Sequence, residues 1–244
     1  MKEKLLPTAA DSVQIAASQE STRGYPVMTN YRILFEKTGR AIYISHLDLM
    51  RTITRAFIRA GIKIKHTEGF NPHPYMTFAL PLSVCVESVC ELVDFILIND
   101  MPADELVSTL NEKLPEGIKM LKAYTPERKF KEIQWLRVKG VLSYDNNAPK
   151  ADKLSSFFAS ESIIIPKKTK RGIADTDIVP CIKEVSFEDS GENVVFSAVL
   201  AAQNPALNPE HLINAIRIHL PDLAPISTAI YRQEIYDNDM KIFR

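Results

Sequence analysis

Two histidines, a row of arginines and one dense cationic run are the residues of this chain best equipped for chemistry. His46 and Asp48 open an apolar pattern of helical period, where backbone N–H groups lack partners and anions are favoured. His73 stands between Pro72 and Pro74, which fix the backbone and present one imidazole at small entropic cost. Asn71 beside it adds an amide donor and acceptor. Together His46 and His73 are the candidates for an acid/base pair or a phosphate site. Each also has a plainer reading, as a helix-capping residue and as the closure of a tight turn. Arg51, Arg55 and Arg59 recur every fourth residue and so form a ladder down one helix face. Such a ladder can follow a phosphate backbone through bidentate guanidinium contacts. It equally describes a solvated face paired with acids, Asp48 lying three residues before Arg51. The cationic run is Lys167, Lys168, Lys170 and Arg171 around Thr169, followed by Gly172, Asp175 and Asp177. Four cations on a loop between strands can grip phosphates in a salt-sensitive way. The alternative is a solvated hairpin tip neutralised by its two aspartates.

The rest of the composition narrows the choice. Thirty basic residues balance thirty acidic ones in 244, so nucleic-acid binding has to come from a local patch. Hydrophobic residues at 45% and charged residues at 25% are globular values, in a chain long enough for one large domain or two small ones. Cys85, Cys90 and Cys181 are odd in number and lack metal-type spacing, which speaks against a disulfide framework and a metal site. The sequence has no run of about 18 apolar residues and no signal-type start, so the expected location is the cytoplasm. Phosphate-loop, dinucleotide-loop and nucleophile-elbow motifs are all missing, as is the cysteine triad that would ligate a cluster for radical chemistry.

These residues need elements to position them. Residues 1–29, rich in Ser, Ala, Thr and Gln, read as a flexible extension, with a short apolar face over 12–18. From residue 31 the patterning predicts a strand (31–35), a turn and short apolar run (38–44), and a helix capped by Ser45 and stopped by Gly61. Strands over 62–66, 75–80 and 91–98 follow, with a proline-locked loop at 69–74, then a helix over 102–114 and a strand over 117–124. A charged linker spans 127–134. A second cycle follows: strand 136–144, helix 151–160, strands 162–165, 182–187 and 193–201, helix 209–220 and strand 226–236. The expectation is an α+β chain of two tandem ferredoxin-like (split βαβ) halves, 30–126 and 135–244. Each would have an antiparallel sheet with helices on one face and the other face free for a partner or for the other half.

The runs KTGR (37–40), SHLDLMR (45–51), AFIRAG (56–61), EGFNPHP (68–74), FALPL (78–82) and VES (86–88) occur in this order, and KKTKRGIADTDI (167–178) follows. In these runs the chain resembles the radical-SAM-linked domain family, a bacterial family of unknown function. Its members are fused to, or encoded beside, a B12-binding-type radical SAM protein. The likeness is strongest over 37–88 and fades toward the C-terminus. One departure is visible: Cys85 and Cys90 stand in a segment where glycines are expected. The resemblance implies that SAM and an iron–sulfur cluster reside in the radical SAM partner, with no cofactor on this chain. The leading expectation is an RNA-binding accessory subunit for RNA modification, without catalysis of its own. Two alternatives stand beside it: a metal-independent RNA-processing enzyme using His46 or His73, and a protein-docking subunit using Phe70 and His73.

Overall fold

The computed structural model describes residues 27–169 and 172–244. Among these residues ten strands and four α-helices run in the order β1 (Met28–Lys37), α1 (His46–Arg59), β2 (Met76–Phe78), β3 (Val86–Ile98), α2 (Ala103–Asn111) and β4 (Ile118–Tyr124). There follow β5 (Trp135–Ser143), α3 (Ala151–Phe158), β6 (Ile164–Thr169), β7 (Gly172–Asp177), β8 (Ile182–Ser190), β9 (Asn193–Ala201), α4 (Glu210–His219) and β10 (Ser227–Tyr236). The α+β class and mostly antiparallel pairing agree with the sequence patterning. The N-terminal boundary does not: Met28 and Thr29 already pair with Ile98 and Leu97 as part of β1. The remainder of the expected extension, residues 1–26 with the apolar face at 12–18, lies outside the described residues.

The two halves do not form two sheets. Strands run β4-β1-β3-β10-β5-β9-β8 in one continuous sheet, with β2 added to β3 as the eighth strand. In the first half β1 lies between β4 and β3, and in the second β5 lies between β10 and β9. The halves meet where β3 and β10 pair in parallel over three positions, Ile230 with Val86, Tyr231 with Glu87 and Arg232 with Ser88. The 13-residue β3 divides one edge between two partners, with β10 at its start and β2 near its end, where Phe78 pairs with Val93. Between them the edge needs other hydrogen bonds, and the chain after β2 crosses the gap, Ala79 N–H donating to the Leu92 carbonyl at 3.0 Å.

Register decides which residues share a face. Lys37, Ser88, Arg232 and Val138 are partners in successive strands, so their side chains stand on one side of the sheet. On that side α1 packs through Phe57 on Phe95 (4.9 Å between ring centroids) and α3 through Phe158 on Phe187 (5.3 Å). Two hydrophobic cores result. One lies under α1 and α2, with Ile33, Phe35, Ile53 and Leu106; the other lies under α3 and α4, with Val138, Phe196, Leu154 and Ile216.

The opposite face of the first half is covered around Arg32. Arg32, fully buried, forms a bidentate pair with Asp94 at 2.6 and 2.8 Å and donates to the Arg128 carbonyl at 2.8 Å. The rings of Phe130, from the interdomain segment, and Phe243, from the C-terminal tail, lie 4.2 and 5.2 Å from its guanidinium carbon. The segment over 127–134 is therefore packed structure, with Ile133 fully buried. A fully buried cation explains this, because its charge requires close partners.

One further expectation changes. The alternation over 62–66 buries Ile62 and Ile64 but yields only isolated bridges, Ile64 to Leu97 and His66 to Pro74. The turn and apolar run expected over 38–44 form a 3-10 turn, Gly39–Tyr43. The glycine expected near residue 85 has a physical basis. Cys85 adopts φ 65°, the left-handed region, while its N–H donates to the Ile42 carbonyl at 3.0 Å. A side chain there costs about 1 kcal/mol. Cys85→Gly is expected to stabilise the protein by roughly 0.5–1 kcal/mol, read from the urea midpoint. An unchanged or lower midpoint would contradict that conformation.

Candidate functional site

The start of α1 forms as its residue types dictate. The Ser45 hydroxyl accepts from Asp48 N–H at 3.1 Å and donates to the Asp48 carboxylate at 2.8 Å, capping the helix. The Ser45 hydrogen bond, and then Arg51, hold the Asp48 carboxyl below its ordinary range. Arg51 is tied to Asp48 at 3.2 Å, and Arg59 donates to the Lys113 carbonyl beyond α2. The arginine ladder is thus no free stripe. Exposed Arg55 lies between two engaged neighbours.

The two histidines are not brought together. The His46 ring meets Phe78 edge-on at 5.1 Å, at the level of Val93. Burial lowers its pKa, Glu91 acting against this and Lys37 with it. The folded state thereby favours neutral imidazole, a stabilisation present above the ordinary histidine range and lost as pH falls through it. His73 stands in the loop beyond β2, where Thr67 N–H donates to its carbonyl at 2.8 Å and the Thr67 hydroxyl meets its Nδ1 at 3.0 Å. His73 closes the turn, and Phe70 and Asn71 project into solvent from its tip. A shared acid/base pair is not formed, because β2 separates the two rings along β3.

The cationic run belongs to a hairpin, β6–β7, outside the main sheet and held to α4 by His219 Nε2 donating to the Ile164 carbonyl at 2.7 Å. Lys170 and Arg171 lie outside the described residues, and Lys168 is a backbone member of β6. The aspartates do not act as a neutralising pair. Asp177 accepts from the N–H groups of Ile163 and Val179, both at 3.0 Å, and so clasps the hairpin base. Those backbone bonds hold its carboxyl below the ordinary range. Asp175 is exposed and pairs in register with Pro166.

Lys167 leads to the feature that residue patterning missed. Its ammonium donates to the Ala206 carbonyl at 2.7 Å, and Ala206 stands on the wall of a cavity of about 230 Å³ at the junction of the halves. The opposite wall is residues 80–83, continuous with the FALPL run, and Asn208 Nδ2 joins the two by donating to the Ser83 hydroxyl at 3.2 Å. Val86 and Val138 contribute apolar surface, and Arg232 is the charged group in the lining.

Arg232 and Glu91, both over nine-tenths buried, pair at 2.9 Å, and Arg232 Nη1 also donates to the Leu80 carbonyl at 2.9 Å. Buried Lys37 donates to the carbonyls of Ile42 and Ile44, at 3.3 and 3.1 Å, and burial lowers its pKa while Glu91 opposes. Cys90 is part of the same layer, its N–H donating to the Ser88 hydroxyl at 3.2 Å and its thiol pushed up to about 12 by burial. The signal was present in the sequence, as charges inside strongly apolar strands. What hid it was that Glu91 and Arg232 lie 141 residues apart.

Among the described residues no group of three or more His, Cys, Asp or Glu side chains could hold a metal ion. Cys85 is exposed while Cys90 and Cys181 are buried, so the three thiols do not form a ligand set. No helix among the described residues is long and apolar enough to cross a membrane.

An α+β protein with two cores under one sheet and a polar-floored cavity at their junction is the class these observations define. The chain belongs to the family described as uncharacterized protein conserved in bacteria (DUF2344), whose model matches residues 30–209. Arg232 lies beyond the matched residues. No curated protein matches the sequence. Among solved structures the chain is similar to one in the crystal structure of a Cbf5-Nop10-Gar1 complex, with TM-score 0.45, 9% identity, and 84% of this chain and 48% of that one covered. It is also similar to one in the archaeal box H/ACA sRNP Nop10-Cbf5 complex, with TM-score 0.38, 10% identity, and coverage of 83% and 46%. The chain spans about half the length of those two chains. Neither likeness carries an argument about function.

Proposed function

We propose that this chain is a substrate-binding module for RNA, serving a radical SAM enzyme in RNA modification. The observation that carries the RNA reading is the contact between Lys167 and Ala206, which joins the first lysine of the cationic run to a wall residue of the junction cavity. A cation able to meet phosphate and a pocket with apolar walls then adjoin, which is what recognition of an unpaired nucleotide requires. The radical SAM partner rests on the family resemblance alone, and by that resemblance it supplies SAM and the iron–sulfur cluster. We read the halves as tandem ferredoxin-like units, a reading supported by their common strand order, with β6–β7 inserted into the second.

The test is fluorescence anisotropy of a labelled single-stranded RNA between about 50 and 200 mM salt. Affinity should fall linearly on a log–log plot. Replacing Lys167, Lys168, Lys170 and Arg171 together by alanine should flatten the slope by roughly 2–3. Absence of RNA binding at low salt, with the radical SAM partner also present, overturns the proposal.

A second reading, a protein-docking subunit, is favoured by the loop tip. Phe70 is fully exposed, and Tyr75 and Ile58 are exposed at 49% and 71%. Nuclease-resistant, high-salt-resistant co-purification with the partner that breaks on Phe70→Ala would select that reading.

A further inference from the structure

The junction cavity has a chemical preference beyond its size. Arg232 Nη1 is occupied by Glu91 and the Leu80 carbonyl. Among the described residues its other edge, Nε with Nη2, has no hydrogen-bond partner. That edge is the fork with which arginine binds two adjacent planar acceptors, as Arg32 does with Asp94 through the same two atoms. The Arg232 side chain retains 10% exposure and lines the cavity, so the unused fork is accessible from it.

Glu91 already supplies the counter-charge, so the open edge calls for neutral acceptors and not for a second carboxylate. The walls, Leu82, Val86, Val138 and Leu207, are buried and apolar and suit the faces of a planar ring. A closed cavity of about 150 Å³ holds benzene with room to spare, and the volume of about 230 Å³ found here, open at its mouth, leaves space for a larger flat ring. Lys167, whose ammonium meets the carbonyl of the wall residue Ala206, offers a cation to a phosphate attached to that ring.

The geometry points to a binding site for a single guanine, its O6 and N7 accepting from Nε and Nη2 of Arg232. Adenine presents a donor at the position of O6 and leaves half of the fork unpaired. This inference rests on the RNA reading above and names the base that the module recognises.

The experiment has two arms, both on the full chain. The first is saturation-transfer NMR with free nucleosides. Guanosine and inosine, which both carry O6 and N7, should show transfer, while adenosine and 7-deazaguanosine should lose most of it. Ala206→Trp, at an exposed position on the cavity mouth, should abolish transfer without lowering the melting temperature. Ser83→Trp closes the mouth from the opposite wall and serves if the first variant does not fold. Equal signals from all nucleosides, no signal from any, or benzoate binding in place of guanosine would overturn the site. The second arm measures binding of a uridine tract carrying one central guanine, adenine or 7-deazaguanine. At least a tenfold preference for guanine is expected. Salt-dependent binding without preference sinks the guanine site and leaves the RNA reading intact. Guanosine occupancy with no RNA binding at low salt does the reverse.

Discussion

Arg232→Met is expected to lower folding stability by about 3–5 kcal/mol, read as a shift of the urea midpoint. The loss exceeds that of a surface ion pair because both partners are buried, Arg232 at 8% exposure and Glu91 at 5%. Methionine fills much of the volume but leaves the Glu91 carboxylate and the Leu80 carbonyl without their donor. The double variant Arg232→Met with Glu91→Gln should recover part of that loss, because removing both charges lifts the desolvation cost of the survivor. A single-variant cost below about 1 kcal/mol would mean that water reaches the pair. The floor of the cavity would then lose its described character.

The second large effect is expected at the C-terminal tail. Phe243 is fully buried, its N–H donates to the Ile235 carbonyl at 2.9 Å, and its ring lies 6.3 Å from that of Phe130. Two guanidinium groups use its face, Arg128 at 4.8 Å and Arg32 at 5.2 Å. Phe243→Ala should cost about 3–5 kcal/mol for the lost ring and the residual cavity. In a chain of this size that corresponds to a melting temperature lower by roughly 6–20 °C. Phe243→Leu should restore the apolar contact but not the cation–ring attraction, and so fall between the two. A shift of less than about 2 °C for the alanine variant would show that the tail does not seal Arg32.

Both predictions concern residues outside the motifs that drew attention first. Residues 45–81 held most of the recognisable chemistry, and the structure distributes it. Asp48 and Arg51 cap and flank a helix, His73 closes its loop, and His46 leans on Phe78 beside the buried polar layer. The end of that segment, Leu80 and Pro81, is where it reaches the cavity.

Local chemistry explains what was legible in the sequence by itself. Period-two and helical apolar patterns over stretches of about ten residues specify strands and helices, and short-range signals such as Ser45 and Gly61 set their ends. That sufficed for β1, β3, β5, β9, β10 and all four helices, and for the α+β class. The pattern around Gly172 was too polar to reveal β7 as a strand, since none of its residues is buried in a core.

Only the tertiary structure decided that the halves share a sheet. The parallel pairing of β3 with β10 depends on a 13-residue strand having an edge to divide, and no local pattern records the fate of an edge. It likewise decided that Lys37, Ser88 and Arg232 form one row, because register across three strands is set by pairing and bulges. Glu91 and Arg232 neutralise each other across 141 residues, a proximity that folding alone creates. The sequence determined the elements and the supply of charges. Strand pairing determined which charges were buried together, and with them the polar floor of the junction cavity.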